Sequence, residues 1–585
     1  MKDFLKYTLA TVVGLLVGGF ILTILGLVTL AGLSMSMTTV PSVNDNAVLR
    51  ISLNGEMTDR ATDNTLQSLL GSEYSNIGLQ QVLDAVAYAE ASPRVKGIHL
   101  EAGALSATPA ALQELRDALS DFKTSGKFIT AYADGYTQGA YYVCSVADRV
   151  MLNPQGTMAW DGMSSETMFY KELLEKLGVR MQIFKVGTYK SAVEPYMSTR
   201  MSEANREQTE AYLHSLWSVF AQGVSASRGI AVDTLDAYAS RGLSFRPAEE
   251  LLACKMVDTL IYQNDVDAYI NKMYNTGDKD FQTVETEVLA QLEAEDLLVS
   301  TKPVIAVYYA EGGIDDASSS QDENAIHAPL VCDDLRALAE DDDVKAVVLR
   351  VNSPGGSAFG SEQIWHEVMN LKAKKPVIVS MGGYAASGGY YISCAADSIV
   401  AEPTTLTGSI GIFGMLPDLE GLAGKVGLQV DEVHTHRAAA SLFRPLGDEN
   451  AAGMQANIER GYALFVKRCA EGRGLTEDSI RSVAEGRVWT GIMARQLGLV
   501  DELGGLDTAV RLAAEKAGLD TYALARYPEP EDLWMKLLSG QWNGLVHSEL
   551  REFLGADYES LRFLKQIHRQ APVQARLPYV LRLNL

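Results

Sequence analysis

Two hydrophobic rhythms run along this chain. From Thr8 to Leu33 the positions are almost all apolar and none is charged, a length that spans a bilayer as a helix. Ser34 to Asn46 turns polar and rich in Met, Ser and Thr, as a tether would be. Beyond it, short β-branched runs alternate with segments whose apolar positions recur at helical spacing. Val48 to Leu53 reads as a strand, Leu79 to Ala91 as an amphipathic helix, and Gly97 to Leu100 as a strand. Ala110 to Phe122 follows as a helix and Phe128 to Ala131 as a strand. Strands separated by helices at this spacing predict βαβ units around a mostly parallel sheet.

The second rhythm then repeats. Val95-Lys96 recurs as Val344-Lys345, Gly139 as Gly388, Tyr141-Tyr142 as Tyr390-Tyr391 and Ala147-Asp148 as Ala396-Asp397, every pair 249 positions apart. With small gaps the match continues through Gln182 and Gln429, Val186 and Val433, Arg228-Gly229 and Arg473-Gly474, and Val257-Asp258 and Val500-Asp501. Such a constant offset marks two tandem copies of one α/β unit. The expected divisions are an anchor at 1–33, a tether at 34–46 and copies at 47–274 and 301–520. An acidic, helix-prone connector at 275–300 joins the copies, and a mixed amphipathic tail at 521–585 has no counterpart in the first copy.

Composition narrows the setting. The 585 residues are 47% hydrophobic and 21% charged, enough to bury large cores, and the formal net charge of −24 argues against nucleic acid as a partner. Lys2 and Lys6 precede the apolar run, partly offset by Asp3, which places the N-terminus in the cytoplasm and the body outside. The run exceeds the apolar core of a cleaved signal peptide, so an uncleaved anchor is expected; Gly14 and Gly18 add a weak helix-packing signal. Five widely separated cysteines read as free thiols, with room for one bridge in an oxidising compartment. The eight histidines are scattered and no metal-ligand spacing occurs, so neither a metal nor an organic cofactor is called for.

Candidate chemistry centres on Met381 to Ser393. A β-branched run at Pro376 to Ser380 leads into glycines and then an Ala-rich segment, which puts Ser387 at a strand–turn–helix junction. Helix N-terminal N–H groups there can face developing negative charge. At the offset of 249, Ser387 aligns with Gln138, so the first copy lacks the hydroxyl. Conversely, Gly187-Thr188-Tyr189-Lys190-Ser191 aligns with His434-Thr435-His436-Arg437-Ala438, so Lys190 faces Arg437. Arginine stays protonated, whereas a desolvated lysine can act as a base near neutral pH. One copy holds the serine without a usable lysine and the other the lysine without the serine. A single composite Ser–Lys site built from both copies explains the complementary losses.

These residues resemble the signal peptide peptidase A family of membrane-anchored serine–lysine proteases, in its long tandem-repeat (67K) form. The resemblance rests on the Ser-Gly-Gly-Tyr-Tyr stretch from Ser387, the Gly-x-x-Lys-Ser stretch from Gly187 and Asn352-Ser353-Pro354-Gly355-Gly356. It implies an α/β fold of two tandem Clp protease/crotonase-like domains preceded by one transmembrane helix. It implies Ser387 as nucleophile, Lys190 as general base and Ser409 as the hydroxyl that orients the lysine. The oxyanion would meet the N–H of Gly388 and a second donor, Gly355 or Gly356. It further implies a dome-like homotetramer in the inner membrane, its catalytic body on the periplasmic side, acting on apolar peptides such as signal peptides after their release.

Other readings compete. His434 and His436 leave a Clp-like Ser-His-Asp protease open, although a triad does not explain why Lys190 stands opposite Arg437. No Gly-x-Ser-x-Gly elbow surrounds Ser387, which disfavours an α/β-hydrolase. A crotonase-type acyl-CoA enzyme could share the fold but fits poorly with an exported body. A membrane-tethered scaffold with a vestigial serine is the non-enzymatic alternative.

Overall fold

The computed structural model describes residue 18 and residues 43–61, 76–275, 277, 279–298, 302–317, 325–433, 435–436, 441–529 and 573–576. Apart from Gly18, the apolar run Thr8–Leu33 lies outside these residues, as do His434 and Arg437. Among the described residues no helix is long and apolar enough to cross a membrane.

The first copy is built on a parallel sheet. Its strand order is Asn76–Gly78, Ala47–Thr58, Val95–Ser106, Phe128–Tyr136, Arg149–Met158, Thr259–Leu260. Ile98, Leu100, Ile129 and Ala131 are fully buried, as expected of central parallel strands, which are covered by helices on both faces. The helix Pro109–Phe122 starts where Thr108 accepts a hydrogen bond from Ala111 N and Pro109 fixes the first turn.

The second copy repeats the plan. The helices Leu79–Ala91 and Ala328–Glu340 begin 249 positions apart, as do the strands Val95–Ser106 and Val344–Ser353, and Phe128–Tyr136 and Val377–Ala386. The long helices Glu203–Arg228 and Asp448–Arg473 have 26 residues each. The second sheet runs Val488–Thr490, Leu406–Gly408, Val377–Ala386, Val344–Ser353, Val304–Glu311, Ala523–Tyr527, with Ser398–Ala401 also against Val377–Ala386. Val347, Val348, Val351, Val377, Ile378 and Val379 are fully buried in it.

Two segments that look like connections take part in the sheets. In the connector, Gln282–Glu285 pairs in parallel with Ala47–Thr58, and the helix Thr286–Leu298 follows with Leu289 fully buried. In the tail, Ala523–Tyr527 extends the second sheet beside Val304–Glu311. A third sheet draws on both copies, in the order Ala325–His327, Gly313–Asp315, Gly355–Ser357, Val573–Arg576, Phe413–Asp418, Arg180–Lys185. Phe413–Asp418 and Arg180–Lys185 pair antiparallel over six residues, so a strand of the second copy is hydrogen-bonded to one of the first.

Buried polar contacts also cross between copies. Arg350, in the strand beside the one that leads to Ser387, reaches Asp59 Oδ1 at 2.9 Å and Glu114 Oε2 at 2.7 Å. Glu114 in turn accepts from Leu506 N at 2.7 Å, and Thr404 donates to Gln113 at 2.9 Å. These side chains are buried, so their polar atoms are satisfied only while the copies stay together.

Candidate active site

The strand Val377–Ala386 delivers Ser387 to the start of the helix Gly388–Ser393. Ser387 sits at φ 57°, ψ −112°, a conformation rarely adopted by a residue with a side chain. Its N–H donates to Gly408 O at 2.8 Å and its carbonyl accepts from Tyr391 N at 2.8 Å, which hold the backbone there. In the first copy, Thr137 at the helix start is ordinary extended backbone (φ −68°, ψ 158°), and its hydroxyl caps the helix by accepting from Ala140 N. At Ser387 the side chain makes no such cap. The turned backbone thus frees the hydroxyl for another partner.

That partner is Lys190. Its Nζ lies 2.7 Å from Ser387 Oγ, 3.0 Å from Ser409 O and 3.1 Å from Ser409 Oγ. Lys190, Ser387 and Ser409 are all fully buried. Burial alone drives the Lys190 ammonium to lose its proton well below its ordinary range. Ser409 is held at φ 49°, with its N–H on Arg487 O at 2.7 Å, and so presents both carbonyl and hydroxyl to the amine.

The lysine loop belongs to the first copy but is clamped by the second. Tyr189 N donates to Glu485 O at 2.9 Å, and Thr188 N to Glu485 Oε2 at 3.3 Å. Gln208 donates to Tyr189 O at 3.1 Å and to Ser191 Oγ at 3.0 Å, and it accepts from Val488 N at 3.1 Å. Gly486, at φ 80°, lets the lysine stem pass: a Cβ there would stand 2.6 Å from Lys190 Cβ. No local pattern in the sequence marks Gln208, Glu485 or Gly486, because the bond from Val488 N to Gln208, the Glu485 clamp and the contact of Gly486 with Lys190 exist only once the copies dock.

The glycine segment faces the serine. Gly355, at φ 97°, donates its N–H to Ser353 Oγ at 3.1 Å, and a Cβ on it would lie 2.7 Å from Gly388 N. Gly356 pairs with Ile314 on one side and Ala575 on the other. The structure therefore gathers Lys190, Ser387, Gly388, Ser409, Gly355 and Gly356 into one place. In the first copy, Gln138 occupies the serine position as a clamp, donating to Gly162 O and accepting from the N–H groups of Asp161 and Gly162, each at 3.1 Å. His436 is exposed and bonds to Thr435 Oγ1 at 3.1 Å. The five cysteines are free thiols.

The model of Peptidase family S49 matches residues 121–275 and 369–520, one stretch in each copy, and the Clp protease model matches residues 312–405. Protease 4 of Haemophilus influenzae is 37% identical, covering 85% of this chain and 83% of its own length. Protease 4 of Salmonella typhi is 35% identical, over 87% of this chain and 85% of its own. The chloroplastic serine protease SPPA of Arabidopsis thaliana is 29% identical, over 92% and 78%. With a Clp protease-like α/β fold repeated in tandem and relatives named as proteases over most of its length, the chain belongs to peptidase family S49.

Proposed function

We propose that this serine peptidase cleaves peptides with a Ser387–Lys190 dyad shared between its two copies. The observation that carries the reading is the 2.7 Å contact between Lys190 Nζ and Ser387 Oγ in a fully buried setting. A neutral amine has two N–H donors and one lone pair. The two donors match Ser409 O and Ser409 Oγ, and the lone pair is left for the Ser387 O–H. Lys190 then takes the hydroxyl proton as Ser387 Oγ attacks the peptide carbonyl, and returns it to the leaving amine. A water, deprotonated by the same amine, releases the acyl group. The Gly388 N–H faces the developing oxyanion. The Gly355 N–H is already engaged by Ser353 Oγ, which favours Gly356 as the second donor.

A histidine-based triad is supported less well. His436 is exposed whereas Ser387 is fully buried. The apolar run Thr8–Leu33 supports an anchor in the inner membrane with the body on the periplasmic side. A site held near a bilayer meets apolar peptides, released signal peptides among them, and family resemblance adds a homotetramer. The test is a set of variants on detergent-solubilised protein with an apolar reporter peptide. Ser387→Ala and Lys190→Ala each lower kcat by about 10⁴-fold or more, while Arg437→Ala stays within about twofold of wild type. Substantial turnover by Lys190→Ala would sink the dyad.

A further inference from the structure

The strand Val573–Arg576 lies between two strand edges, against Gly355 and the Gly388 that follows Ser387. On one side it pairs antiparallel with Gly355–Ser357, Gly356 facing Ala575; on the other it pairs antiparallel with Phe413 and Gly414, Gln574 facing Phe413. Without it, two strand edges would confront each other across a gap one strand wide, each with backbone donors and acceptors to satisfy. An extended peptide added between two edges is the general way such a slot is filled.

The register is informative. Ala575 is fully buried. Its carbonyl oxygen lies against Gly355 and Gly388: a Cβ on Gly388 would come 2.9 Å from it, and one on Gly355 would collide with it. Gly388 directly follows Ser387, so this carbonyl lies beside the N–H that a reacting carbonyl oxygen must face. The adjoining peptide bond joins Ala575 to Arg576.

We infer that the enzyme cuts its own chain between Ala575 and Arg576, in an intramolecular reaction. This rests on the Ser387–Lys190 reading. Ser387 Oγ bonds to the Ala575 carbonyl carbon as its proton passes to Lys190 Nζ. The bond from Ala575 C to Arg576 N then breaks, and Lys190 gives the proton to the Arg576 nitrogen. One water hydrolyses the Ser387 ester, leaving a carboxylate on Ala575, a free hydroxyl on Ser387 and a released peptide that begins at Arg576. The slot is thereby opened to other peptides.

Intact-mass spectrometry of the full chain, purified in detergent, tests this, with cleavage of an apolar reporter peptide measured on the same samples. Wild type ends at Ala575, whereas Ser387→Ala retains Arg576 and the residues C-terminal to it. Ala575→Trp, too bulky for the enclosed position, keeps its tail uncut. Mass-labelled Ser387→Ala mixed with wild type also stays uncut, because the reaction is intramolecular. Wild type that hydrolyses the reporter while its Ala575–Arg576 bond stays intact overturns the inference and leaves the dyad standing. Loss of both activities in folded wild type overturns both, and trimming of the labelled Ser387→Ala chain overturns the intramolecular assignment.

Discussion

Lys190 is a cation by default, placed where a cation is not sustained. It is fully buried, and that burial lowers its proton affinity. The amine therefore reaches its reactive neutral form below the ordinary lysine range. Peptide cleavage should rise as pH increases through that lowered value and then level off; a pH profile of kcat/KM that keeps rising only around the ordinary value of 10.5 would contradict this. Stability carries the same sign. Between the lowered folded value and the ordinary unfolded one, the unfolded chain binds the extra proton, so stability climbs with pH across that window. Lys190→Met should abolish cleavage, raise the melting temperature at neutral pH by a few degrees and flatten that climb. Scanning calorimetry at several pH values checks it. The pairing of Lys190 with Ser387 was legible in the sequence because Gln138 and Arg437 mark what each copy lacks. Gly486 was not, since only the docked lysine stem forbids a side chain there.

At the level of elements, the same strand–turn–helix junction occurs twice with different backbones. Thr137 caps its helix from an extended conformation, and Gln138 anchors the turn at Asp161–Gly162. Ser387 instead takes a positive φ and leaves its hydroxyl free of the helix. A serine alone does not convert one into the other. In a Ser387→Ala background, Gln138→Ser should remain inactive, with no label from a serine-directed covalent probe; labelling of residue 138 would show that the junction geometry is not decisive. The alternation of strands and helices was readable from hydrophobic period. Regular elements came out longer than their apolar runs, Gly97–Leu100 extending to Val95–Ser106, because central strands carry polar positions at their ends. Val573–Arg576 had no local signature at all: its strand character comes from the two edges it lies between.

Across the whole molecule, the contact between Lys190 Nζ and Ser387 Oγ exists only while the two copies are docked, since the serine and the lysine come from different ones. Arg350 holds part of that contact. Its side chain is 3% exposed, those of Asp59 and Glu114 are 5% and 6%, and no other carboxylate-to-arginine pair among the described residues is as deeply buried. Removing the cation strands two carboxylates away from water. Arg350→Met should therefore destabilise the protein by about 3–5 kcal/mol at neutral pH. Cleavage should fall along with stability, because the Glu485 clamp on the lysine loop is an inter-copy contact as well. Replacing all three together, Arg350→Met with Asp59→Asn and Glu114→Gln, should recover much of the stability, since none of the three positions then carries a charge that needs a partner. Urea denaturation of the single and triple variants at pH 7 decides the matter. A single variant as stable as wild type at pH 7 would mean that the copies are held by the shared sheet and apolar packing alone.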